Sequence, residues 1–155
     1  MTSRVFMQEP AIIELIDDMA EQLKDLIAER CLQAPVMIGI HTGGVWVAEK
    51  LHQKLQIEEP LGTLNISFYR DDFSRIGLNP SVKPSNIPFE IEDRAVILVD
   101  DVLQSGRTIR AAMNEIFDFG RPSSIILATL VNKAGRELPV QADVTGLKPA
   151  IEKTD

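Results

Sequence analysis

The stretch AVILVDDVLQSGRT, from Ala95 to Thr108, constrains the fold more than any other part of the chain. A short run of Val, Ile and Leu that stops at charge suits a strand buried on both faces, as in a parallel sheet covered by helices. Two adjacent aspartates, Asp100 and Asp101, stand at its carboxyl end, and a turn holding Ser105, Gly106 and Thr108 follows. In open parallel sheets ligands gather beyond the carboxyl ends of the strands, where loops and helix N-termini converge. The stretch therefore predicts the sheet type and the place of the site together.

The rest of the chain fits that frame. From Glu9 to about Cys31, Ile12, Ile13, Leu15, Ile16, Met19, Leu23, Leu26 and Ile27 recur at helical spacing, with Pro10 near the start, where its missing N–H costs little. Val36 to Ile40 reads as a buried strand running into HTGG, and a helix to about Leu55 follows. Leu61 to Phe68 alternates partially, as a strand does. Asp71 to Pro88 has no periodicity and is interrupted by prolines and a glycine, so it predicts a long functional or mobile loop. A helix from about Arg107 to Phe119 stops at Gly120, and Ser124 to Val131 is another buried strand. This order predicts one α/β domain with a largely parallel central sheet flanked by helices.

Composition narrows the function class. The 155 residues suit a single core, and no apolar run approaches the roughly 20 residues of a membrane span. No signal-peptide pattern opens the chain, so a cytoplasmic location and no membrane partner are expected. The net charge is -7, and residues 1 to 60 carry 10 acids against 5 bases. That balance disfavours a non-specific nucleic-acid binder, whose affinity rests on phosphate neutralisation, while leaving room for a local basic patch later in the chain. Cys31 is the only cysteine, which excludes an intrachain disulfide; it is expected as a small buried residue on the first helix. His52 is expected as a solvated helix residue, and Trp46 as core or a subunit contact.

Backbone N–H groups around Gln104 to Thr108, with the Ser105 and Thr108 hydroxyls, lie at the start of a helix whose positive end favours an anion. Gly106 permits close approach. The acid pair alone could be a solvated turn; a phosphate cradle a few residues later makes it an acceptor for sugar hydroxyls. Together they describe a ribose 5-phosphate site.

VILVDDVLQSGRT resembles the phosphoribosyl pyrophosphate (PRPP) motif of the type I phosphoribosyltransferases. GIHTGGVW, LGTLNISFYRDDF, NIPFEIEDR, FDFGRPSSI and GRELPVQAD are similar to the pyrimidine regulatory (PyrR) subgroup, over about residues 10 to 146. The resemblance implies a type I phosphoribosyltransferase-like domain spanning 1–155, with a small hood formed by about 132–146 and a mobile loop over about 71–88. It implies transfer of ribose 5-phosphate from PRPP to uracil, giving UMP and pyrophosphate, with Mg²⁺ held mainly by substrate oxygens and water, so that no metal ligation by side chains is expected. Asp100 and Asp101 would contact the ribose 2- and 3-hydroxyls. Val102, Leu103, Gln104, Ser105, Gly106, Arg107 and Thr108 would surround the 5-phosphate, and His41, Thr42, Gly43 and Gly44 would form the pyrophosphate loop. Arg70, counted with the acid pair among the catalytic residues, and Arg75 and Lys83 are the expected mobile cations. Asn132, Lys133 and Arg136 belong to the base hood; Arg136 and Glu137 could instead be an exposed ion pair. Asn132 stands where an acidic residue is expected, and adjacent glycines stand where many members carry a basic residue in the pyrophosphate turn.

The same resemblance implies a homodimer or homotetramer and an RNA partner, since some members regulate pyrimidine genes. The long first helix and Trp46 also offer more apolar surface than one domain needs. Two rivals stand beside the enzyme: a catalytically weak, nucleotide-sensing RNA-binding regulator, and a phosphoribosyltransferase for a purine base.

Overall fold

The computed structural model describes residues 9–66 and 85–148. Helices α1 (Glu9–Glu29), α2 (Gly43–Leu55) and α3 (Arg107–Phe119) surround five strands: β1 (Val36–Ile40), β2 (Gly62–Leu64), β3 (Ala95–Leu103), β4 (Ser124–Asn132) and β5 (Val144–Leu147). The strands form one sheet in the order β2-β1-β3-β4-β5, and every neighbouring pair is parallel.

Burial on both faces explains the unbroken apolar runs. Met37, Ile97, Val99, Ile126, Ala128 and Val144 pack with Ile16, Met19, Leu23, Val47 and Leu51 of α1 and α2. Val36, Ile38, Ile40, Val96, Leu98 and Leu127 pack with Ile109, Ala112 and Ile116 of α3 on the other side. Each Val, Leu, Ile or Met among them taken fully from water contributes about 1.5 to 3 kcal/mol before conformational entropy is counted. Gly39 lets α2 sit close on β1, since a Cβ there would lie 2.8 Å from Ala48 Cβ.

Three boundaries differ from the sequence expectation. Strand β3 continues through Asp100 and Asp101 to Leu103, because Asp100 pairs with Thr129 and Leu103 with Asn132 of β4. Strand β2 is described only over Gly62–Leu64; residues 67 and 68 of the expected strand lie outside the described residues. Val144–Leu147, absent from the strands read from periodicity, is a fifth strand, so the expected hood over 132–146 ends inside the main sheet.

Two side-chain expectations are overturned. Cys31 is exposed and lies beyond α1, with φ 54°. The Leu32 N–H donates to the Ile27 carbonyl and the Cys31 N–H to that of Ala28, a left-handed helix stop that turns residue 31 outward. His52 is half-buried rather than solvated: its Nε2 lies 2.7 Å from the Glu59 carbonyl oxygen, tying α2 to the turn before β2.

Candidate functional site

The chain runs from β1 outward to β2 and then returns to place β3 on the other side of β1. The carboxyl ends of β1 and β3 are therefore neighbours at the point where the strand order reverses, which is where open α/β sheets form ligand crevices. The turn at 41–44 and the loop at 104–108 both leave from this point.

Alternation along β3 sends the two acids to opposite faces. Asp101 is half-buried and lies against the glycine turn: a Cβ on Gly43 would overlap its carboxylate. Asp100 is only 6% exposed. Its Oδ1 accepts the Asp101 N–H at 2.8 Å, and Asp101 Oδ1 accepts the Val102 N–H at 2.8 Å. Burial, then the hydrogen bond and charge of Asp101, push the Asp100 carboxyl up from 3.8 to about 8. Without ligand, Asp100 is thus held towards its protonated form near neutral pH, while Asp101 is the more accessible of the two and lies beside the glycine turn.

The loop after β3 borders a cleft at this end of the sheet. A cleft of about 250 Å³ is lined by Val102, Leu103, Gln104, Ser105, Gly106, Thr108 and Ile109. Gly106, with φ 95°, turns the chain into α3, and Ser105 Oγ accepts the Arg107 N–H at 3.1 Å. The first intrahelical bond there runs from the Arg110 N–H to the Gly106 carbonyl. The Thr108 and Ile109 amides precede it and have no acceptor within the helix, which suits an anion. A larger cavity of about 380 Å³ lies at the opposite end of the sheet, beside Ala34, Pro35 and Arg94. The Arg94 donors there already engage the Ala34 carbonyl and Glu59, so its cation is not presented to a ligand.

At the β1 end, the His41 N–H donates to the Leu64 carbonyl, the His41–Thr42 peptide is cis, and α2 starts at Gly43. Gly44 is buried where a Cβ would lie 2.7 Å from the Val99 carbonyl oxygen and 2.9 Å from Asp100 Cα. The adjacent glycines thus let this turn press directly against the acid pair. Trp46, just inside α2, is 38% exposed, with Lys50 Nζ 5.4 Å from its ring centre, so it is a surface residue rather than core.

Asn132 ends β4, and Lys133 and Arg136 follow it in the loop that joins β4 to β5. Arg136 and Glu137 do not pair with each other: Arg136 donates to the Gln104 carbonyl, and Glu137 accepts from Arg107 Nε at 2.6 Å. Arg70, Arg75 and Lys83 lie outside the described residues, as does 71–84 of the expected loop. Its described end is anchored by paired backbone bonds between Asn86 and Thr63. Sequence reasoning missed Thr129, which faces Asp100 across the ladder; its buried hydroxyl makes no hydrogen bond among the described residues. It also missed the Glu137 and Leu138 amides, which both donate to the Ser105 carbonyl. Nothing in a single sequence marks such contacts, which join segments about thirty residues apart.

The phosphoribosyl transferase domain family matches residues 6–154. A protein of Nitrosococcus oceani named bifunctional protein PyrR is 60% identical over 134 residues, covering 85% of this chain and 76% of that protein. The chain belongs to the phosphoribosyltransferase family, in its PyrR subgroup. The PyrR protein of Pseudomonas paraeruginosa is 56% identical over 140 residues, 90% of this chain and 82% of that one. Among solved structures, a Trypanosoma cruzi hypoxanthine phosphoribosyltransferase superposes with a TM-score of 0.71 at 21% identity, over 91% of this chain and 75% of that one. At that identity the likeness speaks for the type I fold alone. Family membership makes the chain a pentosyltransferase by class. No described helix is long and apolar enough to cross a membrane.

Proposed function

We propose that this phosphoribosyltransferase transfers ribose 5-phosphate from PRPP to uracil, giving UMP and pyrophosphate in the cytoplasm. The observation that carries the reading is the acid pair set between a phosphate-type loop and a glycine turn at the β1/β3 switch point.

In this reading the amides and hydroxyls of 104–108 hold the 5-phosphate, and Asp101, backed by Asp100, accepts the ribose hydroxyls. The turn at 41–44 receives the pyrophosphate through backbone N–H groups, its glycines leaving room beside Asp101. Among the described residues no cluster of three or more His, Cys, Asp or Glu could hold a metal, and the one accessible carboxylate beside the turn, Asp101, fits a hard Mg²⁺ held mainly by substrate oxygens and water. When bound with PRPP, Mg²⁺ supplies charge neutralisation to the leaving group. The chain's own contribution is to fix the sugar by both ends while charge separates at C1, with donors already oriented. Closure of the segment bearing Arg70, Arg75 and Lys83 over the site would exclude water and add a cation.

Uracil is favoured over a purine by the PyrR relatives and by the PyrR-like segments outside the shared motif. The word bifunctional in the relatives' name supports a second role, which we assign to RNA-binding control of pyrimidine genes by a homodimer or homotetramer. An assay with PRPP and Mg²⁺ against uracil, hypoxanthine and orotate tests this: UMP is the expected product. IMP without UMP would replace uracil by a purine, and PRPP binding with no product would favour the regulator alone.

A further inference from the structure

The loop at 104–108 and the 133–140 segment are one hydrogen-bonded body, and a single side chain stands at its centre. Arg136 is half-buried. Its Nη1 donates to the Gln104 carbonyl at 2.8 Å and the Lys133 carbonyl at 3.2 Å, and its Nη2 donates to Asn132 Oδ1 at 2.8 Å. Asn132, itself buried, ends β4, so the planar guanidinium fastens the β3 loop to the rigid end of the neighbouring strand. Backbone bonds complete the body: the Lys133 N–H donates to the Leu103 carbonyl, and the Glu137 and Leu138 N–H groups to Ser105. Gly135, with φ 113°, allows the turn that folds Arg136 back, and a Cβ there would lie 3.2 Å from Gln104 Cγ.

All three Arg136 acceptors are uncharged oxygens: two backbone carbonyls and an amide. Charge pairing therefore does not account for the placement; geometry does. Bonds from a charged donor are the stronger class, and one of these three ends on the Gln104 carbonyl, next to Ser105. We propose that Arg136 is a positioning residue which sets the shape of the phosphate loop from the hood side, rather than a base-contacting one. The Asn132 amide is the acceptor that orients it. The inference rests on the reading of 104–108 as the 5-phosphate loop and extends it: affinity for a ligand bearing only sugar and phosphate depends on a residue of the base hood.

The test uses the full chain and two independent readouts. In Arg136→Ala, hydrogen exchange at the 104–108 amides is expected to speed up about tenfold, with the β1 and central β4 amides unchanged. Calorimetry with ribose 5-phosphate is expected to show affinity lower by roughly tenfold to a hundredfold, the scale of losing bonds from a charged donor. Arg136→Lys, which keeps a donor within reach of the carbonyls, is expected to recover part of both. Unchanged exchange at 104–108 overturns the proposal, as does a loss of uracil affinity alone with ribose 5-phosphate binding intact. If the wild-type chain does not bind ribose 5-phosphate, the phosphate-loop reading fails, while the exchange result still decides whether Arg136 shapes this loop. Should Arg136→Ala fail to fold, Arg136→Lys and Asn132→Leu, which removes only the orienting acceptor, carry the same comparison.

Discussion

The turn after β1 and the loop after β3 face each other across the acid pair, and they are built by opposite means. At 41–44 the geometry depends on missing side chains: two glycines let backbone approach Asp101 and the β3 main chain. At 104–108 it depends on contacts supplied from elsewhere, by Arg136, Glu137 and Leu138. A site half can thus be shaped by what is removed or by what is fastened to it. The two halves should fail differently under mutation, the first abruptly and the second by degrees.

The largest effect is expected at Gly44. A methyl there meets β3 backbone, which cannot step aside, so Gly44→Ala should lower stability by about 3 kcal/mol in urea unfolding. Gly43→Ala meets only the Asp101 side chain, so it should leave the midpoint nearly unchanged while weakening PRPP binding in calorimetry. Equal stability losses in the two variants would remove the distinction drawn for this turn.

Asp100 gives the next effect, and it is pH-dependent. A carboxyl whose folded pKa exceeds its unfolded value costs nothing while both states are protonated; the cost grows once the unfolded state ionises first. Stability should therefore fall as pH rises from about 4 towards about 8. Asp100→Asn should flatten most of that slope in unfolding curves at pH 5, 7 and 9. A slope equal to wild type would place the proton elsewhere.

Smaller effects belong to the fastened loop. Gly106→Ala forces a methyl into a left-handed backbone with Val140 Cβ 3.3 Å away, and should lower stability by about 1 to 2 kcal/mol. Arg107→Ala breaks a pair whose side chains are 66% and 56% exposed, so thermal unfolding should move within about 0.5 kcal/mol. A larger loss would mean that this ion pair, rather than Arg136, fastens the loop.

The contrast also explains what could be read from sequence. Strands β1, β3 and β4 are apolar because both faces are covered, and α3 begins and ends where its glycines dictate, so these elements were legible. The acid pair and Ser-Gly-Arg-Thr turn were legible too, since their order along one strand and helix is local. Val144–Leu147 was not: an edge strand of four residues, three of them only partly buried, leaves no periodic signal. Cys31 misled because a left-handed stop, not helical spacing, decides where its side chain points. The Arg136 contact was invisible because the separation of 32 positions between it and Gln104 is closed by the sheet, not by any pattern in the chain.

Calorimetric titration of the wild-type chain with PRPP and Mg²⁺, repeated in the presence of ribose 5-phosphate or of pyrophosphate, tests the two-sided site most directly. Each fragment is expected to compete for one half, so both should weaken PRPP binding, and Asp101→Asn should weaken it by about 1.5 to 3 kcal/mol. PRPP binding unaffected by either fragment and by Asp101→Asn would contradict a site spread between the β1 turn and the β3 loop.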